Sequence, residues 1–137
     1  MIRSVTPGST VFGEVIVSDI ALTGWMKTLV GYVRSGNPDL TNRQMALLMV
    51  VYLTPGPHTV RGLAQILGVS KPVVTRALNT LGTLGYLRRE RDEADRRNIF
   101  VARTRNGTEF LESFGHLIEP DAKPDAGING RARAARG

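Results

Sequence analysis

The stretch that most constrains this chain runs from Val60 to Thr104 and reads VRGLAQILGVSKPVVTRALNTLGTLGYLRRERDEADRRNIFVART. Thr59 can cap a helix from Val60 to Leu67, Gly68 can take the left-handed turn that ends it, and Ser70 can cap the next helix. In that second helix Val74, Leu78 and Leu81 recur at i, i+4 and i+7, with Val73 and Ala77 beside them. Lys71, Thr75, Arg76 and Asn79 fall on other faces, so one side is core and another is polar, basic and exposed. After Gly85 the pattern changes to two strand-like runs, Tyr86 to Arg91 and Asn98 to Thr104, around a charged turn that cannot be buried. Helix, tight turn, helix and a basic hairpin therefore follow one another without a break.

The rest of the chain frames this core. Residues 1–17 combine Pro7, Gly8 and Gly13 with the alternating run VFGEVIV and read as a flexible arm or a short edge strand. A first helix is expected from Ser18 to Arg34, with a broad apolar face of Ile20, Leu22, Trp25, Met26, Leu29, Val30 and Val33. So much apolar surface on a peripheral helix points to a partner. Thr41 and Gln44 have capping-box spacing for a helix through Leu53, stopped by Pro55, Gly56 and Pro57, and His58 to Val60 can pair as a third strand. A last helix is expected from Arg105 to about Leu117, with Phe110, Leu111 and Phe114 on one face. The organisation is thus an arm (1–17), a folded domain (18–119) and a basic tail (120–137) expected to be disordered.

Charge agrees with the patterning. Of the formal +6, residues 71–105 hold nine Lys or Arg against four acids, a net of +5 placed on the helix-turn-helix and hairpin. A charged hairpin alone is an ordinary solvated surface. Beside a helix-turn-helix it supplies both phosphate neutralisation and groove entry. The sequence has no cysteine, which closes disulfide, thiolate-metal and thiol-redox chemistry. His58 and His116 stand apart, and there is no phosphate-cradling Gly-Lys-Ser or Gly-Lys-Thr loop and no nucleophile elbow. No catalytic site, metal or cofactor is expected, and the lack of a secretory signal or membrane-length apolar run makes the cytoplasm the expected location.

The pieces LTNRQMALLMVVYL, LAQILGVSKPVVTRALNTLGTLGYLRRERDEADRRN and RTRNGTEFL resemble, from about Leu40 to Phe114, the multiple-antibiotic-resistance regulator (MarR) family of bacterial transcription factors. GVSKPVVTRALNTL and DEADRRN carry the specific part of the likeness. The resemblance implies a mostly α fold with a small β-wing, a winged helix-turn-helix with N- and C-terminal dimerisation helices. It also implies a double-stranded DNA partner, a homodimer on a pseudo-palindromic operator, repression by promoter occlusion as the expected mode, and room for a small-molecule effector near Trp25, Met26 and Tyr32. The chain after Phe114 is shorter than the family usually spends on its dimer interface.

Candidate DNA contacts follow from position and chemistry. Ser70 reads as an N-cap or a phosphate contact, and Lys71 supplies charge beside it. Pro72, in the first helical turn, can touch a thymine methyl. Thr75, Arg76 and Asn79 share one surface, from which Arg can fork onto guanine and Asn can pair with adenine. Arg88 and Arg89 at the hairpin base are expected to reach phosphates. Asp95, Arg96 and Arg97 match the family's aspartate-x-arginine feature, in which the aspartate orients the hairpin and the arginine enters the minor groove, where a narrow groove concentrates negative potential. The competing reading of the last set is an exposed turn salt bridge of little energetic weight. Trp25, Leu29, Val33, Phe110, Phe114 and Leu117 are the expected dimer interface, because a domain this size leaves two apolar faces to cover. An architectural or replication-associated DNA-binding protein, or a winged helix that binds protein, would carry the same fold.

Overall fold

A computed structural model describes residues 11–118, with side chains from residue 19 onward. In chain order the elements are α1 (Val11–Ser35), α2 (Asn42–Leu53), β1 (His58–Thr59), α3 (Val60–Leu67), α4 (Lys71–Thr83), β2 (Leu87–Arg91), β3 (Ile99–Arg103) and α5 (Arg105–Ile118). They form two compact units. One takes in α1 as far as Tyr32 together with α5 from His116, and the other is Val33–Gly115.

Within the larger unit the expected elements form for the expected reasons. Thr41 closes a full capping box on α2: its hydroxyl accepts the Gln44 N–H at 3.0 Å, and the Gln44 side chain accepts the Thr41 N–H at 2.9 Å. Thr59 caps α3 through the Gly62 N–H at 3.0 Å, and Gly68 ends it at φ 68°, a left-handed conformation that suits glycine. Ser70 occupies the N-cap position of α4 with extended backbone, but its hydroxyl makes no capping hydrogen bond, which corrects the capping role expected of that side chain. Two of the helix's first N–H groups are instead met by the Ser70 carbonyl, which accepts from Val73 and Val74. The hydroxyl is left at the surface.

The core collects what helical periodicity places inward: Leu47, Leu48 and Val51 from α2, Leu63 and Ala64 from α3, and Val74, Ala77, Leu78 and Leu81 from α4. Each fully buried leucine contributes roughly 1.5–3 kcal/mol relative to exposure. The three strands form an antiparallel sheet in the order β1-β3-β2, with His58 opposite Val101 and Leu87 opposite Arg103. The two-residue β1 thus does pair with the hairpin.

Tyr52 ties α2 to the base of that hairpin. Its hydroxyl donates to the Tyr86 carbonyl at 2.7 Å and accepts from the Thr104 N–H at 2.8 Å. Gly107 makes room for this: a Cβ there would fall on the Tyr52 hydroxyl and the Tyr86 carbonyl. Arg103 lies over the Tyr52 ring, 5.7 Å from its centroid, and donates to the Val51 and Thr54 carbonyls at the end of α2. Helix C-terminal carbonyls lack internal partners and favour a cation, so the same contact satisfies both demands.

Two further expectations are overturned. Residues 11–17 are the first turns of α1, not an arm or edge strand, because β-branched residues and a single glycine are tolerated in a helix that continues into a strongly apolar segment; residues 1–10 and the expected tail lie outside the described residues. Phe110 and Phe114 are only 6% and 4% exposed, so they are core, not dimer surface. Phe110 stacks on Tyr86 with centroids 4.5 Å apart and neighbours Phe114 at 6.5 Å. Burial also raises the Tyr86 phenol above its ordinary pKa.

In the smaller unit Thr28, 1% exposed, donates through its hydroxyl to the Gly24 and Leu117 carbonyls at 3.1 and 3.2 Å. Gly31 permits that approach, since a Cβ there would stand 3.1 Å from the Leu117 side chain. Along α1, Leu22, Met26, Leu29 and Val33 recur at i, i+4, i+7 and i+11 with Trp25 and Val30 beside them, and all are exposed, Val33 at 75%.

Candidate nucleic-acid interface

Helix α4 separates its two roles by face. Val74, Ala77, Leu78 and Leu81 are buried, while Lys71, Pro72, Arg76 and Asn79 are exposed and Thr75 is half-buried beside them. The outward residues follow i, i+1, i+4, i+5 and i+8, a continuous stripe on one side of the helix. Pro72 lies in the first turn, where its missing N–H removes no helical bond. Ser70, with its hydroxyl unused by the cap, stands at the start of the same stripe.

The hairpin turn is built by two aspartates. Asp92 accepts the Ala94 N–H at 2.9 Å and the Asn98 side-chain amide at 3.3 Å, and its own N–H reaches the Asn98 carbonyl at 3.1 Å. Asp95 accepts the Arg97 N–H at 3.1 Å and pairs with Arg97 Nε at 3.3 Å. One carboxylate oxygen therefore fixes both the backbone and the side chain of Arg97. The Arg97 side chain remains 90% exposed. An ion pair this open is worth about 0–1 kcal/mol, so it orients the guanidinium without retaining it.

Arg88 and Arg89 behave differently although adjacent. Arg88 pairs with Glu90, Nη2 to Oε2 at 2.6 Å, both side chains being half or more exposed. Arg89, on the other face of β2, lines a cavity of about 130 Å³ with Lys71, Thr75, Arg97 and Asn98. This cavity brings four of the expected contact residues together from α4, β2 and the turn. Asn79 and Arg88 border a separate open groove along the end of α4, which Arg89 also lines. Ser70, Pro72, Arg76 and Arg96 line neither space.

The cavity also includes a residue that sequence reasoning missed, Arg61 of α3. Its signal was present: a cation in a first turn that holds no acid sits against the positive end of the helix dipole. Among the described residues no group of three or more His, Cys, Asp or Glu could hold a metal ion, and no helix is long and apolar enough to cross a membrane. The buried His58 imidazole is engaged by Thr54 at 3.2 Å.

Three helices, a three-stranded sheet and a basic hairpin beside an outward-facing second helix define a winged helix-turn-helix protein. Residues 39–98, the span from the end of the first loop to the hairpin turn, match the model of the MarR family. Among solved structures it is similar to the transcriptional regulator Tm0710 from Thermotoga maritima, at 28% identity over 90% of this chain and 80% of that one, TM-score 0.61. A MepR variant from S. aureus bound to an oligodeoxyribonucleotide aligns at 18% identity over 90% of this chain and 93% of that one, TM-score 0.68. Reduced AbfR bound to DNA aligns at 22% over 91% and 86%, TM-score 0.57. No curated protein matches the chain.

Proposed function

We propose that this protein is a DNA-binding transcriptional regulator that acts as a homodimer on a pseudo-palindromic operator, represses by occluding a promoter, works in the cytoplasm and has no catalytic activity. The observation that carries the reading is the outward stripe of α4, from Lys71 to Asn79, within the same unit as the exposed, pre-oriented Arg97. A helix of this kind reads base edges in the major groove, and a guanidinium at a wing tip favours the negative potential of the adjoining minor groove. Ser70, Lys71, Arg88 and Arg89 serve phosphates, Pro72, Thr75, Arg76 and Asn79 face bases, and Arg96 and Arg97 extend the contact with Asp95 as orienter. The bound forms of MepR and AbfR support the assignment of DNA as partner.

The homodimer is supported by the exposed α1 stripe, in which Trp25, Leu29 and Val33 join Leu22 and Met26. Contiguous apolar surface of this kind marks an interface more often than it marks ordinary exposure. Leu117 and the exposed Ile118 extend apolar surface at the end of α5, while Phe110 and Phe114 are withdrawn from the proposed interface. Two-fold pairing would set two α4 helices in successive major grooves, about 34–36 Å apart. Of the three residues expected near an effector, Trp25 and Met26 are exposed and open to one, whereas Tyr32 is buried at 7% exposure.

Selection of bound fragments from genomic DNA, followed by footprinting, tests the proposal. A regulator protects a defined palindromic site with about 10³-fold or greater preference over random duplex. Binding without such preference would replace it with an architectural role, and no binding would replace it with a protein-interaction role.

A further inference from the structure

The cavity between the helix-turn-helix and the wing holds more positive charge than its surroundings answer. Arg61, Lys71, Arg89 and Arg97 reach it from α3, α4, β2 and the turn, and no carboxylate lines it. Arg97 shares Asp95 at 3.3 Å; among the described residues the other three have no acidic partner. Gathering like charges around a partly enclosed space costs stability unless an anion enters it.

Two helices also begin at this cavity. Val60 and Arg61 belong to the first turn of α3 and Lys71 opens α4, and neither first turn contains an acid. Both helix ends add partial positive charge. Val60 and Ile99 make part of the wall apolar, which lowers the local dielectric and strengthens attraction for a charged guest. Thr75 and Asn98 complete the polar wall.

We propose that this cavity is a seat for one phosphoryl oxyanion and that Arg61 is one of its binding residues. The inference rests on the DNA reading in that a backbone phosphate of the operator fills the seat in the complex. Free inorganic phosphate presents the same chemistry and occupies the seat in the unbound protein, so it competes with the duplex. Arg61 thereby gains a role that offsets its unfavourable place at a helix N-terminus.

Two experiments on the full chain separate the sources. Inorganic phosphate is titrated against chloride at fixed ionic strength while the backbone amide resonances of residues 61, 75 and 98 are followed. The expected result is a saturable shift at these positions, weakened about tenfold in both Arg61→Ala and Arg61→Gln, the loss of one charge-assisted contact. A drift that does not saturate, or one equal in wild type and both variants, overturns the seat. The second experiment uses operator duplexes carrying a single neutral methylphosphonate at successive positions. One position per half-site is expected to weaken wild type about tenfold yet leave Arg61→Ala unchanged, and Arg61→Ala lowers the salt slope by about one. Losses that add independently at every position overturn the assignment of Arg61. Saturable phosphate binding by a chain that ignores duplex DNA upholds the seat and removes the DNA reading instead.

Discussion

Leu78 on α4 and Leu29 on α1 are the same side chain placed in opposite surroundings, 1% and 44% exposed. Around Leu78 the winged helix completes its own core, and what α4 leaves outside is polar and basic. Around Leu29 the apolar stripe of α1 stays open along four successive turns. A helix whose apolar face is buried declares its function on the other face, whereas a helix whose apolar face is exposed declares it on that face. On the function proposed above, the first is a surface for a polyanion and the second a surface for another apolar surface.

Leucine truncation separates these two roles most strongly. Leu78→Ala is expected to cost about 2–5 kcal/mol in urea unfolding, the range for a leucine lost from a close-packed core. Leu22→Ala, on the exposed stripe, is expected to change the stability of the isolated chain by less than about 0.5 kcal/mol. Equal losses would mean that α1 is packed as tightly as α4 and would remove the comparison.

Next in size is Tyr52→Phe, which strips the hydroxyl from a Thr104 N–H and a Tyr86 carbonyl that have been taken out of water. The expected cost is about 1–3 kcal/mol, read from the same unfolding curves. A neutral result would show that water reaches both groups.

On the polar side of the comparison, Arg97→Ala is expected to weaken operator binding by about 1–3 kcal/mol and to flatten its salt dependence, with thermal stability unchanged. Fluorescence anisotropy across a salt series measures both, and unchanged affinity in the folded variant would remove the wing from the interface. Arg76→Ala is expected to relax preference at one position per half-site, which a library of operator variants reads directly. Smaller still is the difference between neighbours: Arg89→Ala is expected to lower affinity more than Arg88→Ala, because Arg88 already pairs with Glu90. The reverse order would show that the ion pair opens on binding.

How much of this was legible in the sequence depended on how far apart the interacting residues lie. The spacing of Val74, Leu78 and Leu81, the Thr41–Gln44 capping box and the left-handed Gly68 are local, and each appears in the structure where the pattern puts it. Phe110 and Phe114 were correctly placed on one helical face, but periodicity cannot say what that face meets; the answer is Tyr86, more than twenty residues away. The start of α1 was lost because VFGEVIV alternates as a strand does while its continuation carries it into a helix. Ser70 showed the residue type and position of a cap, yet hydroxyl geometry is not written in residue type. Arg61 does not stand out in the sequence because its companions come from α4 and the hairpin, and only the fold brings them to one cavity.

Pairing of two chains through the exposed face of α1, so that two α4 helices read one site, fixes the stoichiometry of the DNA complex. Analytical ultracentrifugation of the selected operator with wild type and with Leu29→Asp measures it. Two wild-type chains per palindromic duplex are expected, and for Leu29→Asp a folded monomer whose affinity falls by about tenfold or more as the second half-site contact is uncoupled. One chain per duplex, or a variant that binds with unchanged mass and affinity, would contradict this pairing.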